Sequence, residues 1–198
     1  MWAIGNGESR SSININHLQG EKVGCNAIMR DYYVDRLVCV DRRMVEEALS
    51  KGVNTTGTLV YTRPDWYPRY KTLKVREVPP LPYKGDQRWD EPFQWGSGPY
   101  AVLIAAMFAR ERHVNLIGFD LHSSTTTINN IYKGTDNYDP ADKRPVDPRY
   151  WIHQISMVFR FFPKIKFTIY QNPKWNMPKA WNKDNVYLDK ISNISYNM

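Results

Sequence analysis

Two glycine-centred motifs, roughly ninety residues apart, carry the chemistry that this chain offers most openly. In the first, the apolar run Trp2-Ala3-Ile4 meets Gly5-Asn6-Gly7-Glu8-Ser9. In the second, Gly96-Ser97-Gly98 opens a helical stretch that leads to Val114-Asn115-Leu116-Ile117 and then Gly118-Phe119-Asp120. Glycine admits positive φ angles and lets backbone N–H groups approach a ligand, and a helix N-terminus adds unpaired donors and the positive end of a dipole. Phosphate is the natural guest of such a place. Either motif alone is equally an ordinary strand-end turn; their conjunction with Asn26 and Asp120, at the ends of other predicted strands, points to one nucleotide pocket. Asn26 supplies both a donor and an acceptor for a base or ribose, and Asp41 an acceptor for ribose hydroxyls. Asn and Asp after strands also serve simply as turn residues.

Acid–base candidates lie elsewhere in the sequence. His153, in the first turns of a predicted helix, is the best general base, because imidazole titrates near neutral pH and a helix N-terminus disfavours its charged form. The long polar stretch 121–149 offers His122, Tyr132, Lys133 and Tyr138 as donors to a departing phosphate. There is no GxSxG, HExxH or kinase signature, and no DxD pair for a divalent metal; Asp139 and Asp142 read as solvated turn residues. No metal site and no bound cofactor are therefore expected, and transfer chemistry in this pocket would be metal-independent.

The elements that must position these residues alternate. Strands are predicted at Met1–Ile4, Lys22–Cys25, Arg36–Val40, Gly57–Thr62, Leu73–Val78, Val114–Phe119 and Ile165–Tyr170, the Leu73–Val78 strand at an edge because it is the more polar. A short helix is capped by Ser11 or Ser12, and Arg42–Lys51 has helical spacing and stops at Gly52. Tyr100–Arg112, begun by Ser97, buries Ala101, Ile104, Ala105 and Phe108, and Arg149–Phe162 forms a further helix. This is an α/β plan: a Rossmann-like single domain over 1–171, with a mainly parallel sheet and helices on both faces. Residues 63–95 form an irregular basic and aromatic insertion, 121–149 a lid loop, and 172–198 an irregular aromatic tail that packs on the body or on a neighbouring subunit. Ligands of such sheets bind beyond the carboxyl ends of the strands, where the strand order reverses. That edge gathers Gly5, Asn6, Gly7, Ser9, Asn26, Asp41, Ser97, Gly98 and Asp120.

Composition bounds the partners. At 198 residues and 42% hydrophobic content, one folded domain with a full core is expected. The net charge of +7 suits a nucleotide, another anionic partner or simply a solvated basic surface. Cys25 and Cys39 sit in apolar runs without metal or redox spacing, so both read as buried free thiols. No signal-peptide pattern or membrane-length apolar run is present, which gives the expectation of a cytoplasmic protein with no transmembrane segment. The aromatic tail leaves a homo-oligomer open.

Ala3-Ile4-Gly5-Asn6-Gly7-Glu8-Ser9, Gly24-Cys25-Asn26, Gly96-Ser97-Gly98-Pro99-Tyr100 and Leu116-Ile117-Gly118-Phe119-Asp120, in this order, resemble the bacterial sialyltransferases of the Campylobacter type and the wider group that contains the MptE-like hydroxymethylpterin diphosphokinases. The resemblance covers roughly residues 2–50 and 94–171. It implies that Gly5, Asn6, Gly7 and Asn26 hold the CMP of a CMP-sugar with Ser97 and Gly98 near the donor. It further implies that His122 and Tyr132 assist the leaving phosphate and that His153 is the base. Asp41 stands where that family tends to have asparagine. The diphosphokinase branch implies ATP and magnesium, with Asp41 and Asp120 at the metal.

The leading expectation is thus an inverting glycosyltransferase that moves a sugar from a nucleotide donor to a glycan or small-molecule acceptor. The alternatives are an ATP-using diphosphokinase or other nucleotide-binding enzyme, and a nucleic-acid-binding protein. For the last, Arg63, Arg69, Lys71, Lys74, Arg76 and Arg88 would neutralise phosphates while Trp66, Tyr67, Tyr70, Trp89 and Trp95 stack bases.

Overall fold

The computed structural model describes residues 1–121 and 127–195. Its strands are β1 (Trp2–Ile4), β2 (Lys22–Cys25), β3 (Arg36–Val38), β4 (Leu59–Thr62), β5 (Val75–Glu77), β6 (His113–Ile117), β7 (Lys166–Gln171) and β8 (Val186–Lys190). They form one sheet in the order β5-β4-β3-β2-β1-β6-β7-β8, every neighbouring pair parallel. Among the described residues four α-helices accompany it: α1 (Arg42–Ser50), α2 (Tyr67–Tyr70), α3 (Ser97–Phe108) and α4 (Arg149–Phe161). The chain builds outward from β1 to β5, returns to the other flank of β1 as β6, and builds outward again. The strand order therefore reverses beside β1, as a doubly wound α/β sheet requires.

Side-chain alternation divides the core into two layers. Ala3, Val23, Leu116, Phe167 and Ile169 pack with α3 and α4 on one face of the sheet. Trp2, Ile4, Leu37, Val60 and Ile117 face the other way, against α1 and the 3-10 segments Ile15–His17 and Asn26–Arg30. Helices thus cover both faces, as the apolar strands predict. In α1 the buried positions Met44, Val45 and Ala48 form one stripe, and Gly52 at φ 68° leads the chain out of the helix in the left-handed conformation.

α3 departs from the expected one-sided helix. Ala101 to Ala105 are all fully buried, because the sheet lies on one side and α4 and the segment before α3 on the other. The helix ends at Phe108, which is 42% exposed, so Arg110 and Arg112 lie beyond it and Arg112 adopts φ 53°. No helix forms at Ser11 and Ser12; the chain there makes 3-10 turns at Glu8–Arg10 and Ile15–His17.

The tail is not irregular throughout. It returns to the sheet as β8, an edge strand paired with β7. Trp181, fully buried, donates Nε1–H to the carbonyl of Ile152. Asn185 Nδ2 donates to the carbonyls of Phe159, Phe162 and Ile165 at 3.0, 3.1 and 3.2 Å, satisfying the open C-terminus of α4. The tail therefore packs on its own chain.

Candidate functional site

A cavity of about 360 Å³ opens beyond the carboxyl ends of β1, β2, β3 and β6, at the reversal of strand order. Its floor is made by the chain leaving those strands. Gly5 and Gly118 cross there in contact: Gly118 has φ 73°, and a Cβ on it would lie 2.6 Å from the carbonyl oxygen of Gly5. The amide of Gly5 donates to Ile117 O and that of Gly7 to Gly118 O, both at 2.9 Å. These glycines let two strand ends pass at the switch point.

The first motif is consequently occupied by the protein itself. Asp120 takes the position that an anion would hold at this turn. Its Oδ2 accepts from the Ser9 amide at 2.8 Å, and its Oδ1 accepts from the Ser9 hydroxyl and, at 3.0 Å, from Gln171 Nε2. A Cβ at Gly7 would lie 2.5 Å from the Asp120 carboxyl carbon, so this glycine makes room for a carboxylate of the same chain. Asn6 is equally committed. Its Nδ2 donates to Cys25 O and to the Tyr138 hydroxyl, and its Oδ1 accepts from Arg10. Arg10, 2% exposed, also donates Nε–H to Gly5 O at 2.7 Å and holds the strand end from beneath.

The second motif keeps its donors. α3 starts at Gly96 with no side-chain cap, and within the helix the amides of Ser97 and Gly98 have no acceptor. Pro99 brings no N–H to the first turn. The Ser97 hydroxyl, in contrast, is spent on the fold: it accepts from the Val40 amide at 3.0 Å and donates to Asn26 Oδ1 at 2.8 Å. One side chain thereby joins the ends of β2 and β3 to the start of α3. Asn26 reaches it in the left-handed conformation at φ 50°, which asparagine adopts more readily than most residues. Asp41, at the N-terminus of α1, is exposed and makes no capping bond, so its carboxylate remains open to a ligand.

Gly5, Asn6, Gly7, Asn26, Asp41, Ser97, Gly98 and Asp120 all line this one cavity. Ser9 lies behind Asp120. Phe119, Tyr150 and Trp151 supply aromatic walls, and burial pushes the Tyr150 hydroxyl well above its ordinary range. Burial also pushes the Cys25 thiol up to about 12, against the pull of Arg10, so this wall residue is a thiol at neutral pH. The remaining wall, Phe93 to Gly96, is pinned by fully buried Gln154. That side chain donates to Trp89 O at 3.1 Å and Gln94 O at 3.2 Å and accepts from the Gly96 amide at 3.4 Å.

The acid–base candidates are not brought to the cavity. His153 is on α4, but its Nε2 meets Asp90 Oδ1 at 2.6 Å on the flank facing residues 83–90. Burial raises the Asp90 carboxyl, but bonds from His153, Tyr83 and the Gln87 amide outweigh it and leave the group below its ordinary value. The pair fastens the segment before α3 to α4. Tyr132 is buried on the opposite face of the sheet, where its hydroxyl donates to Asp31 at 2.7 Å and accepts from Arg10 at 3.2 Å. Tyr138 packs beside it, and Lys133 pairs with Glu8. The segment around these tyrosines braces the strand ends from below, although Asn129 and Asn130 reach the cavity rim. His122 lies outside the described residues. Among the described residues no histidine lines the cavity.

Sequence reasoning passed over Arg10 and Gln154, and it named Arg63 only as a phosphate contact of the nucleic-acid reading. Gln154 had a signal: a polar residue on the same helical stripe as Ile155, Val158 and Phe159 must find partners inside. Arg63, at the cavity edge, donates to Phe93 O at 2.7 Å and pairs with Asp65. In the basic and aromatic insertion Tyr70 and Trp95 are buried at 4% and 1% exposure and so unable to stack a base, while Trp66, Tyr67 and Trp89 are half-buried. Of the two carboxylates lining the cavity among the described residues, Asp120 already accepts from Ser9 and Gln171, whereas Asp41 makes no capping bond. Among the described residues no helix is long and apolar enough to cross a membrane. Comparison of the chain with family models, with curated proteins and with solved structures found no match.

Proposed function

We propose that the cavity at the strand reversal binds a nucleotide, and that the chain acts as a glycosyltransferase on a nucleotide-sugar donor. The observation that carries this reading is the start of α3, a twelve-residue helix whose first amides have no intrahelical partner at the edge of a pocket also lined by aromatic rings and an open carboxylate. The Ser97 and Gly98 amides and the helix dipole would hold phosphate oxygens. Asp41 would accept from ribose hydroxyls, and an aromatic wall would cover the base. In the transfer, the acceptor oxygen bonds to the anomeric carbon as the bond to phosphate breaks. The electron pair leaves with the nucleotide and the hydroxyl proton passes to water. Growing negative charge on the departing phosphate is the charge that the same amides stabilise best. With His153 and Tyr132 engaged elsewhere, positioning and this electrostatic contribution carry the reaction.

A thermal-shift series tests the reading with CMP, UDP, GDP and ATP, each with and without magnesium, on the native chain and on Asp41→Ala. A ligand at one hundred times its Kd adds about 2.7 kcal/mol, or about 5–10 °C at this chain length. CMP or UDP should give that rise and Asp41→Ala should reduce it. A rise with ATP and magnesium alone would replace the transferase reading by the diphosphokinase one. The absence of any nucleotide response would overturn both.

A further inference from the structure

A second cavity, of about 570 Å³, lies on the other side of Asp120, beyond the carboxyl end of β7. The volume is within the range of small-ligand sites, about 300–1,000 Å³. Asp120 and Asn129 line both cavities, so the two meet along that partition. The far side is the turn that follows β7, from Asn172 to Asn176, closed by the Trp175 amide donating to Asn172 O at 2.9 Å. Trp175 Nε1 donates to the backbone oxygen of Asp120 at 3.0 Å, and Gln171, 2% exposed, donates to its carboxylate. Turn and partition are therefore tied together by three hydrogen bonds.

The chemistry of the walls is specific. Asn172, Lys174 and Asn176 stand exposed on the turn and half-buried Trp175 lies among them, while Asn129 lines the cavity with its Oδ1 accepting from the Glu8 amide at 2.8 Å. Planar amides give a donor and an acceptor side by side, which matches neighbouring hydroxyl groups on a ring. An indole face covers the C–H side of such a ring. A phosphate site would instead gather cations and free amides; here one lysine stands among amides.

We propose that this second cavity is the acceptor subsite and that it takes a carbohydrate, with pyranose hydroxyls bonded by Asn172 and Asn176 and the ring laid against Trp175. The inference rests on the transferase reading for the word acceptor, while carbohydrate binding by the cavity stands on its own walls. A doubly wound sheet offers the two halves of its carboxyl edge to two ligands, and here the nucleotide takes the β1–β3 half and the sugar the β6–β8 half.

Saturation-transfer NMR on the full chain, with methyl β-galactopyranoside and methyl α-glucopyranoside as probes and sorbitol as the acyclic control, tests this directly. At least one pyranoside should bind, in the presence and in the absence of CMP. The double variant Asn172→Ala/Asn176→Ala, whose unchanged melting temperature would certify its fold, should weaken it at least tenfold, by about the loss of two hydrogen bonds. Asp41→Ala should leave it unchanged. No pyranoside signal above that of sorbitol overturns the inference, whatever CMP does in the thermal-shift series. So does a signal that survives the double variant, or one lost in Asp41→Ala, which would put the sugar in the first cavity. If a pyranoside binds and the double variant loses it while no nucleotide shifts the melting temperature, the carbohydrate site stands and the nucleotide reading falls.

Discussion

The crossing of the strand ends at Gly5 and Gly118 separates two accounts of the same motif, a ligand cradle and a joint of the fold. Alanine at Gly118 meets two obstacles: φ 73° and a backbone carbonyl oxygen 2.6 Å from the new methyl carbon. The left-handed conformation alone costs about 1–2 kcal/mol, and a methyl forced into packed surroundings about 1–3 more. Both neighbours are backbone continuing from paired strands, so little relaxation is open to them, and a total of about 3 kcal/mol is expected. Gly20 is the control. Its φ of 89° carries the same conformational penalty, but nothing lies within 4 Å of a built Cβ. Gly20→Ala should therefore cost about 1 kcal/mol once the stiffer unfolded chain is allowed for. Gly5→Ala adds the complementary case, a steric overlap with the Gly118 carbonyl and no left-handed φ. Urea unfolding of the three variants reads these differences, and in melting temperature they amount to about 6–12 °C for Gly118→Ala against 2–4 °C for Gly20→Ala. Equal losses at Gly118 and Gly20, within about 0.5 kcal/mol, would refute the close-crossing account. A stable Gly5→Ala that had lost its nucleotide response would return the motif to the ligand.

Ser97→Ala removes the acceptor of the Val40 amide and the donor to Asn26, and should lower stability by about 1–3 kcal/mol in the same urea assay; an unchanged midpoint would mean that water takes over both bonds. Gln154→Leu leaves the Trp89 and Gln94 carbonyls and the Gly96 amide unpaired. It should cost at least about 2 kcal/mol and open residues 89–96 to limited proteolysis, and protection equal to that of the native chain would count against the pinning role. His113 is held below its ordinary value by burial, with the Lys166 ammonium and the amino terminus adding to it, and its Nε2 lies 2.9 Å from Thr168 Oγ1. As pH falls through about 6.5 the unfolded chain takes up the proton first, so stability present above that pH is lost below it. Melting temperature between about pH 7.5 and 5.5 should fall less steeply in His113→Gln than in the native chain, and identical slopes would clear His113 of the effect.

Most of the sheet was legible because a parallel sheet covered on both faces needs short, largely apolar strands, and Leu37-Val38, Val60-Tyr61 and, with Asn115 interrupting it, Val114 to Ile117 have that form. β8 was not, since Tyr187 and Leu188 are exposed on an edge and its sequence lacks a buried face to betray it. The binding edge was legible for a topological reason: residues that follow buried strands converge wherever the strands run parallel, which is how Asn26, Asp41 and Asp120 meet in one cavity. Roles within it were not legible. A sequence shows that Asn6 and Asp120 are polar at a strand end, but not that Arg10 and Ser9 have already claimed them. His153 failed for a related reason, because helical periodicity assigns a face without saying which segment covers it, and here residues 83–90 do.

The internal occupation of the first motif has a consequence for where charge can be bound. Two turns at the carboxyl edge present amides, the one at Glu8–Arg10 and the start of α3. In the first, Asp120 and Asn129 accept from the Ser9 and Glu8 amides, so a phosphate there would have to displace a carboxylate held by three donors. It would also face that carboxylate's charge across a few ångströms, which is repulsive at any effective dielectric constant. α3 carries no such guest: its nearest side chain, Ser97, turns its hydroxyl away to Val40 and Asn26 and leaves only amides forward. An anion in this cavity is therefore drawn toward α3 and pushed from Asp120, and a nucleotide-sugar bound as proposed would lie with its phosphate at Gly98, its ribose toward Asp41 and its sugar toward the partition. That polarity leads from the α3 end to the second cavity, and it makes Asp120 the divider between the two, a carboxylate held by the Ser9 and Gln171 donors at the point where donor and acceptor would meet.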